Sequence, residues 1–171
     1  MPRLLILLTC LFLTASSLPA EEADDGRTLK FFHTHTLETL EVTYYKDGLY
    51  RLEPMEKLRD FLADWRTGEK NHIDPKLMDI LWQIQQVTGN TDTFEVISAY
   101  RSEKTNSLLR SRSNGVAKNS QHVLGKAIDV RLRGMKTKKL RDTALKLKLG
   151  GVGYYRKSDF VHVDTGRVRR W

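Results

Sequence analysis

Two short segments in the second half of the chain contain residue types that bind transition metals. Residues 120–129 read Ser-Gln-His-Val-Leu-Gly-Lys-Ala-Ile-Asp, and residues 159–164 read Asp-Phe-Val-His-Val-Asp. Within them, His122, Asp129 and His162 offer two imidazoles and one carboxylate. Such a set suits a zinc ion held by three protein ligands, with the fourth position left for water. The sequence therefore predicts one Zn²⁺ per chain at these three residues.

The segments around these residues favour rigid elements. Ala127–Leu132 alternates between apolar and polar side chains, which is typical of a strand, and Phe160–Asp164 has the character of a second short strand. Gly125 allows a tight turn between the first two ligands, and the small side chain of Ala127 lets the chain pack closely beside the metal. We therefore expect two of the ligands to lie on strands and the third to lie in the turn before them.

Hydrophobic patterning in the rest of the chain indicates a mixture of helices and strands. A β-hairpin or small meander is expected first, then two amphipathic helices, a short buried strand, a short helix and a basic helix. The segments are 29–52, 53–68, 74–89, 94–100, 102–112 and 136–149. This arrangement predicts an α+β fold, with helices packed on a small, mainly antiparallel sheet.

Length and the amino-terminal segment limit the organisation of the chain. A chain of 171 residues, 40% hydrophobic and 29% charged, suits one globular domain. Residues 1–20 combine Arg3, an apolar run at 4–13 and then small residues, as a cleaved secretory signal does. The apolar run is shorter than the roughly 20 residues of an ordinary transmembrane helix. We therefore expect a flexible lead at 21–28 and a single domain at 29–171.

Charge and cysteine content narrow the possible partners. The net charge is +8, from 29 basic and 21 acidic residues, and Cys10 is the only cysteine. Because Cys10 lies in the expected signal, the mature chain would lack disulfides, thiol chemistry and cysteine-ligated zinc. Export argues against nucleic acid as a partner, so the positive charge favours an acidic polymer of the cell envelope. No integral membrane span is expected after signal cleavage, and the sequence indicates no oligomeric state.

The two metal-binding segments resemble a known family. The spacing S-x-H-x-x-G-x-A-x-D over residues 120–129, followed by His162 in an apolar strand, is similar to the zinc site of the D-alanyl-D-alanine metallopeptidases. Lysostaphin-type peptidases and the hedgehog domain share this ligand pattern. Segments 98–102, 150–155 and 160–166 make the resemblance closest to the periplasmic murein endopeptidase branch. The resemblance implies a hedgehog-like fold and a periplasmic zinc peptidase that hydrolyses peptide bonds in peptidoglycan stem peptides or cross-links.

The resemblance also implies a catalytic carboxylate. Zinc would lower the pKa of its bound water and polarise the scissile carbonyl, and a nearby carboxylate would take the proton of the water. Asp159 lies three residues before His162, where related dipeptidases carry a glutamate base, although aspartate is one methylene shorter. Asp164 lies two residues after His162 and should point to the same face of the strand. We favour Asp159 as the base by position, and the alternatives for Asp164 are a base or an acceptor that orients an imidazole.

Three further residues are expected to contact the substrate. Arg101 matches the family arginine that steadies the oxyanion or a substrate carboxylate, a task that suits a fixed guanidinium. Ser120 either hydrogen-bonds the substrate or caps a turn. One of Tyr154 and Tyr155 should line the cleft, and Tyr155 is taken as the candidate.

Two other functions compete with the peptidase. The first is a catalytically inactive, peptidoglycan-binding module that keeps zinc for structure, as the hedgehog domain shows is possible on this scaffold. The second is a binder of envelope polymers without metal, which depends only on the positive charge. Removal of His122 or His162 would discriminate, because a metal-free binder would keep both its stability and its binding.

Overall fold

Four helices and eight strands make up the part of the chain that the structure describes, residues 25–113 and 115–171 of a computed structural model. The expected signal segment, residues 1–20, lies outside these ranges. In chain order the elements are β1 (Arg27–His33), β2 (Thr39–Lys46), β3 (Leu49–Tyr50), α1 (Leu52–Phe61), α2 (Pro75–Thr88), β4 (Phe94–Ser98), α3 (Glu103–Arg112), β5 (Ala127–Leu132), α4 (Thr137–Leu147), β6 (Gly151–Tyr155), β7 (Phe160–Asp164) and β8 (Arg169–Arg170).

All eight strands join one sheet in the order β3-β2-β1-β4-β5-β7-β6-β8. The β1–β4 and β6–β8 pairs are parallel, and the other neighbouring pairs are antiparallel. The chain passes through α1 and α2 between β1 and β4, and a connection of this kind is what a parallel pair requires. The prediction of an α+β fold with a mainly antiparallel sheet is therefore confirmed, and the sheet itself is mixed.

The two faces of the central strands have different roles. Alternate residues of β5 and β7, among them Ile128, Val130 and Val161, are fully buried in the hydrophobic core with apolar residues of α2 and α4. Because side chains alternate along a strand, Asp129 and His162 point to the opposite face. Helices α2 and α4 therefore pack on one side of these strands, and the other side is left for the site.

The caps of α2 agree with the sequence. The Asp74 side chain accepts a hydrogen bond from the backbone N–H of Lys76 at 3.0 Å, Pro75 follows as the first helical residue, and Gly89 ends the helix with φ 65°. Aspartate and proline at the start and glycine at the end are the residues that these positions favour. The predicted bounds of this helix are confirmed.

Helix α1 ends earlier than the sequence predicts. The apolar stripe pointed to a helix as far as Gly68, but the helix ends at Phe61. The Asp64 carboxylate accepts the backbone N–H of Arg66 at 3.0 Å and the N–H and hydroxyl of Ser102 at 2.9 and 2.7 Å. The Asp64 backbone N–H donates to the Glu69 carbonyl at 2.9 Å, so the chain forms a turn here and not a further helical turn. Trp65, expected in the buried stripe, therefore lies in a turn and is 38% exposed.

Strand β1 begins at Arg27, inside the segment that was expected to be a flexible lead. Arg27 Nη1 donates to Asp79 Oδ1 at 2.7 Å. The Asp25 carboxylate accepts the backbone N–H groups of Asp47 and Gly48 at 2.8 and 2.9 Å. These contacts fix the chain from residue 25 onwards.

Candidate metal centre

His122, Asp129 and His162 meet on the face of the sheet opposite the helical core. Asp129 on β5 and His162 on β7 are paired in register, and His122 comes from the turn before β5. His122 Nε2 lies 3.1 Å from His162 Nδ1 and 3.3 Å from Asp129 Oδ1, and the last two atoms lie 2.9 Å apart. All three residues are buried. The structure thus brings together the three ligands that the sequence predicts.

In each imidazole, the ring nitrogen that points away from the other two residues, called here the outer nitrogen, already has a hydrogen-bond partner. His122 Nδ1 lies 2.6 Å from the carbonyl oxygen of Ala99, which can only accept, so Nδ1 carries the hydrogen. His162 Nε2 lies 2.9 Å from Asp164 Oδ2 and donates to that carboxylate. In the neutral forms, the inner nitrogens and Asp129 Oδ1 therefore direct lone pairs at one another. Burial opposes a positive charge on His162, but the carboxylates of Asp129 and Asp164 outweigh it and raise its pKa. The three donor atoms thus favour a positive charge between them, which either a proton on His162 Nδ1 or a metal ion supplies.

Zinc fits this donor set. Four ligands at about 2.1 Å in a tetrahedron lie roughly 3.4 Å apart, close to the 2.9 to 3.3 Å measured between the three donor atoms. The bonds from His122 to Ala99 and from His162 to Asp164 are of the kind that orient metal-binding imidazoles.

The protonation states of two donors suit metal binding. Burial lowers the pKa of His122, which keeps its imidazole neutral. Burial opposes the charge on Asp129, but attraction to His122 and His162 when they carry a proton outweighs it and holds the pKa of Asp129 well below its usual value. Neutral imidazole and ionised carboxylate are the forms that coordinate a metal.

Asp164 supports His162 and does not face the cleft. Asp164 is 0% exposed. Its Oδ2 accepts hydrogen bonds from His162 Nε2 at 2.9 Å and from Arg169 Nη2 at 2.7 Å. Oδ1 accepts from Arg169 Nη1 at 3.0 Å and from the backbone N–H groups of Gly151 and Gly166 at 3.2 and 2.8 Å. Burial works to raise the pKa of Asp164, but these donors outweigh it and lower the pKa. Both oxygens are thus occupied, which suits the orientation of an imidazole better than proton transfer.

Asp159 is not brought together with the metal-binding residues. It lies in the turn between β6 and β7 with φ 50°, and its side chain is 66% exposed. Thr137 Oγ1 donates to its Oδ1 at 2.6 Å, and Arg131 Nε donates to its backbone carbonyl at 2.6 Å. A residue three positions before His162 falls on the opposite face when the strand alternation continues. In this structure Asp159 therefore faces Thr137 on the outer surface.

A cleft lies over the metal-binding residues. One wall is formed by the loop that contains Gly115 and Ala117, and the other by Tyr155, Phe160 and Trp171. Tyr155 thus lines the cleft as predicted, whereas Tyr154 is its neighbour on the other face of β6 and packs against the core.

Arg101 and Ser120 also line this cleft. Arg101 Nη1 donates to Asn106 Oδ1 at 3.3 Å, and burial lowers the pKa of the guanidinium. Its buried Nε has no hydrogen-bond partner in the described part of the chain. Ser120 Oγ accepts the backbone N–H of His122 at 3.3 Å, so it both caps the turn and borders the cleft.

Sequence reasoning did not identify Asn106, Arg169 or Trp171 as residues of the site. Asn106 Nδ2 donates to the backbone carbonyls of Ala117 and Lys118 at 3.2 and 3.4 Å, which ties the cleft loop to Arg101. The glycines of β6 were a signal for Arg169 and Trp171, because alternate glycines on one face of a strand mark the close approach of another group.

Comparison with known proteins gives a family and close relatives. The profile of the family described as "Peptidoglycan L,D-endopeptidase MepK" matches residues 21–171. The Escherichia coli K12 protein "Peptidoglycan L,D-endopeptidase MepK" is 41% identical over 145 residues, which cover 85% of this chain and 80% of the relative. The Haemophilus influenzae Rd protein "Probable peptidoglycan L,D-endopeptidase MepK" is 41% identical over 146 residues, which cover 85% of this chain and 78% of the relative.

Proposed function

Because the chain belongs to the peptidoglycan L,D-endopeptidase MepK family, we propose that it cleaves L,D peptide bonds in peptidoglycan with zinc held by His122, Asp129 and His162. The membership confirms the predicted family and the prediction of a peptidoglycan peptidase. The bond type is the one that the names of the relatives give.

One observation carries the zinc proposal. Two imidazole nitrogens and one carboxylate oxygen converge within 3.3 Å, and both imidazole hydrogens are committed elsewhere. Buried acceptors without donors are costly, so the folded chain gains stability from a cation at this point. Zinc bound there supplies a Lewis acid that polarises the scissile carbonyl and acidifies a water molecule.

The residues of the chain have separate tasks around this centre. Asp164 and Arg169 fix the orientation of His162 through hydrogen bonds at both carboxylate oxygens. The Arg101 guanidinium borders the cleft, and it is proposed to donate to the oxygen that becomes negative during hydrolysis. Ser120 borders the same cleft and is proposed to contact the substrate.

The proton acceptor is tested by separate replacement of the two aspartates. We retain Asp159 as the candidate base, which requires the turn before β7 to exchange its bond to Thr137 for one to the water. Asp159→Asn should then lower kcat by roughly 100-fold with zinc content unchanged. Asp164→Asn should instead lower the zinc affinity, because Asp164 acts through His162. If kcat is unaltered in Asp159→Asn, another group is the base.

The decisive experiment is digestion of purified peptidoglycan sacculi, with fragments identified by mass. Residues 21–171 are tested with zinc and with a chelator, beside His162→Ala. His72→Ala is the matched control, because His72 is an exposed histidine outside the cleft. We expect L,D cleavage products from the zinc-loaded chain and from His72→Ala only. Products that persist in His162→Ala or with the chelator would contradict the proposal.

The inactive zinc-binding module is the second candidate. It is favoured by one observation: among the described residues that line the cleft, the only carboxylate is Asp129, which is itself a proposed ligand. The same digestion separates the two functions, because sacculi left intact by a folded, zinc-loaded chain would support the binding module.

The location follows from the substrate. Peptidoglycan lies outside the cytoplasmic membrane, so we propose that residues 1–20 direct export and that the enzyme acts in the periplasm. Within residues 25–113 and 115–171, no helix is long and apolar enough to cross a bilayer. The excess of basic residues over the whole chain would attract the enzyme to an acidic polymer.

A further inference from the structure

We propose that Trp171 positions the Tyr155 hydroxyl to donate a hydrogen bond to a carbonyl oxygen of the bound peptide. The inference rests on the proposed peptidase function and concerns the same cleft, of which both side chains form one wall.

Hydrogen bonds to β6 fix the backbone of Trp171. The N–H of Trp171 donates to the Val152 carbonyl at 3.3 Å, and the N–H of Tyr154 donates to the Trp171 carbonyl at 3.0 Å. The indole then lies against the backbone of Gly153, where an added Cβ would come within 2.6 Å of the indole Cε2 atom. Glycine at 153 is therefore needed for close approach of the ring and not for an unusual φ.

Two further groups confine the indole. Its ring centroid lies 5.1 Å from that of His162, the residue that pairs with Gly153 across the β6–β7 ladder. The Arg169 guanidinium lies 4.8 Å from the ring, within the range of a cation–π contact. Trp171 is 50% exposed because its remaining surface forms part of the cleft wall.

The indole N–H determines how the Tyr155 hydroxyl can be used. Trp171 Nε1 lies 3.1 Å from Tyr155 Oη. An indole nitrogen can only donate, so the phenol oxygen is the acceptor in this bond. In the described chain the phenol hydrogen has no acceptor of its own, and it is free to bond a ligand in the cleft. The Tyr155 ring is stacked on Phe160 at 4.5 Å, which limits its rotation.

A fixed donor in this position has a chemical use. The carbonyl oxygen of a peptide becomes negative as the bond is hydrolysed, and a preorganised donor stabilises that charge more than it stabilises the neutral substrate. Tyr155 is accordingly a catalytic residue in this proposal, and Trp171 is a positioning residue that acts through it.

A double-mutant cycle on the zinc-loaded chain tests the inference. The variants are Tyr155→Phe, Trp171→Phe and the pair, with cleavage of an isolated cross-linked muropeptide followed at several concentrations. Trp171→Phe keeps an aromatic wall and removes the N–H. We expect each single variant to lower kcat by about 10-fold with KM changed less than twofold, and the double variant to equal Tyr155→Phe. Trp65→Phe is the matched control and should keep the kcat of the unmodified chain, because Trp65 lies outside the cleft.

Gly153→Ala provides a second approach to the same contact. The substitution displaces the indole and leaves the indole N–H intact. The variant should therefore have the same kcat as Trp171→Phe. When it is combined with Tyr155→Phe, it should lower kcat no further.

Three results would overturn the inference: an unchanged kcat in Trp171→Phe, an effect on KM alone, or multiplicative losses in the double variant. Each of these results can be interpreted only when the unmodified chain cleaves the muropeptide. If the unmodified, zinc-loaded chain fails to cleave the muropeptide, the proposed function itself fails.

Discussion

Two clusters of polar side chains in this molecule, one partly buried and one buried, differ in how their charges are satisfied. In the first, the Asp79 carboxylate on α2 accepts from Arg27 Nη1 at 2.7 Å, from Tyr44 Oη at 2.9 Å and from Tyr50 Oη. One negative charge meets one positive charge, and both tyrosine hydroxyls have an acceptor. We call these four residues the Asp79 cluster.

The second cluster consists of the three proposed metal ligands. Its acceptor atoms outnumber the hydrogens that are available to them. His122, Asp129 and His162 direct three acceptor atoms at a common point, and the imidazole hydrogens are bonded to Ala99 and Asp164. The Asp79 cluster balances its own charges, which is typical of a structural cluster. The metal cluster has more acceptors than donors in its neutral forms, and a bound cation balances that excess.

The strongest test of this contrast removes one acceptor from the metal cluster. Asp129→Ala should abolish zinc binding and lower kcat/KM by roughly 1,000-fold or more, because the Lewis acid supplies several kcal/mol of transition-state stabilisation. Zinc content after dialysis and muropeptide cleavage measure the two effects. If Asp129→Ala retains one zinc per chain and normal cleavage, the two clusters do not differ as proposed.

The next test changes a residue that does not bind the metal but hydrogen-bonds one of the proposed ligands. Asp164→Asn replaces the carboxylate that accepts from His162 Nε2, and we expect zinc affinity to fall by about 10- to 100-fold. Competition with a chromogenic chelator gives the dissociation constant. Asp142→Asn is the control, since within residues 25–113 and 115–171 the Asp142 carboxylate pairs only with its neighbour Arg141 on α4. An equal loss in both variants would show a general charge effect.

The Asp79 cluster should respond in stability and not in zinc binding. Asp79→Asn leaves the part-buried Arg27 without a partner carboxylate and two tyrosine hydroxyls with a weaker acceptor. We expect the free energy of unfolding in urea to fall by about 2 kcal/mol, with zinc affinity and kcat unchanged. A loss of zinc affinity in this variant would mean that the two clusters are coupled.

The smallest expected effect is a pH dependence on the alkaline side. Burial and the bonds to Asp79 raise the pKa of Tyr50 to about 12 and also raise that of Tyr44. A group whose pKa is raised by folding stabilises fully below its unfolded pKa, about 10 for tyrosine, and the contribution is lost as the pH rises through the folded value. Stability should therefore decline between pH 10 and about 12, and Tyr50→Phe should flatten this decline. Urea titrations at three alkaline pH values measure it, and an identical slope in the variant would refute the assignment.

Much of the fold follows from local sequence patterns. Strands β5 and β7 have the predicted bounds, because a strand of alternating or continuous apolar residues between turns can be recognised locally. The caps at Asp74 and Gly89 likewise mark α2. The end of α1 could not be predicted, since the apolar stripe continues to Trp65 through a turn whose Asp64 contacts Ser102, 38 residues away.

The same division applies to the site. The spacing of His122, Asp129 and His162 identified the candidate ligands, because strand alternation and a turn suffice to bring them together. The position of Asp159 depends on the conformation of a turn, which the sequence does not specify. Trp171 reaches the cleft only through the parallel pairing of β8 with β6, and no local pattern predicts that pairing.

The central claim is that one zinc ion at the His122, Asp129 and His162 donors is required for cleavage. The most direct measurement is a titration of the chelator-treated chain with zinc, in which cleavage of a cross-linked muropeptide is recorded at each addition. We predict no cleavage before zinc is added and a linear rise that ends at one equivalent per chain. Full cleavage by the metal-free chain would contradict the claim.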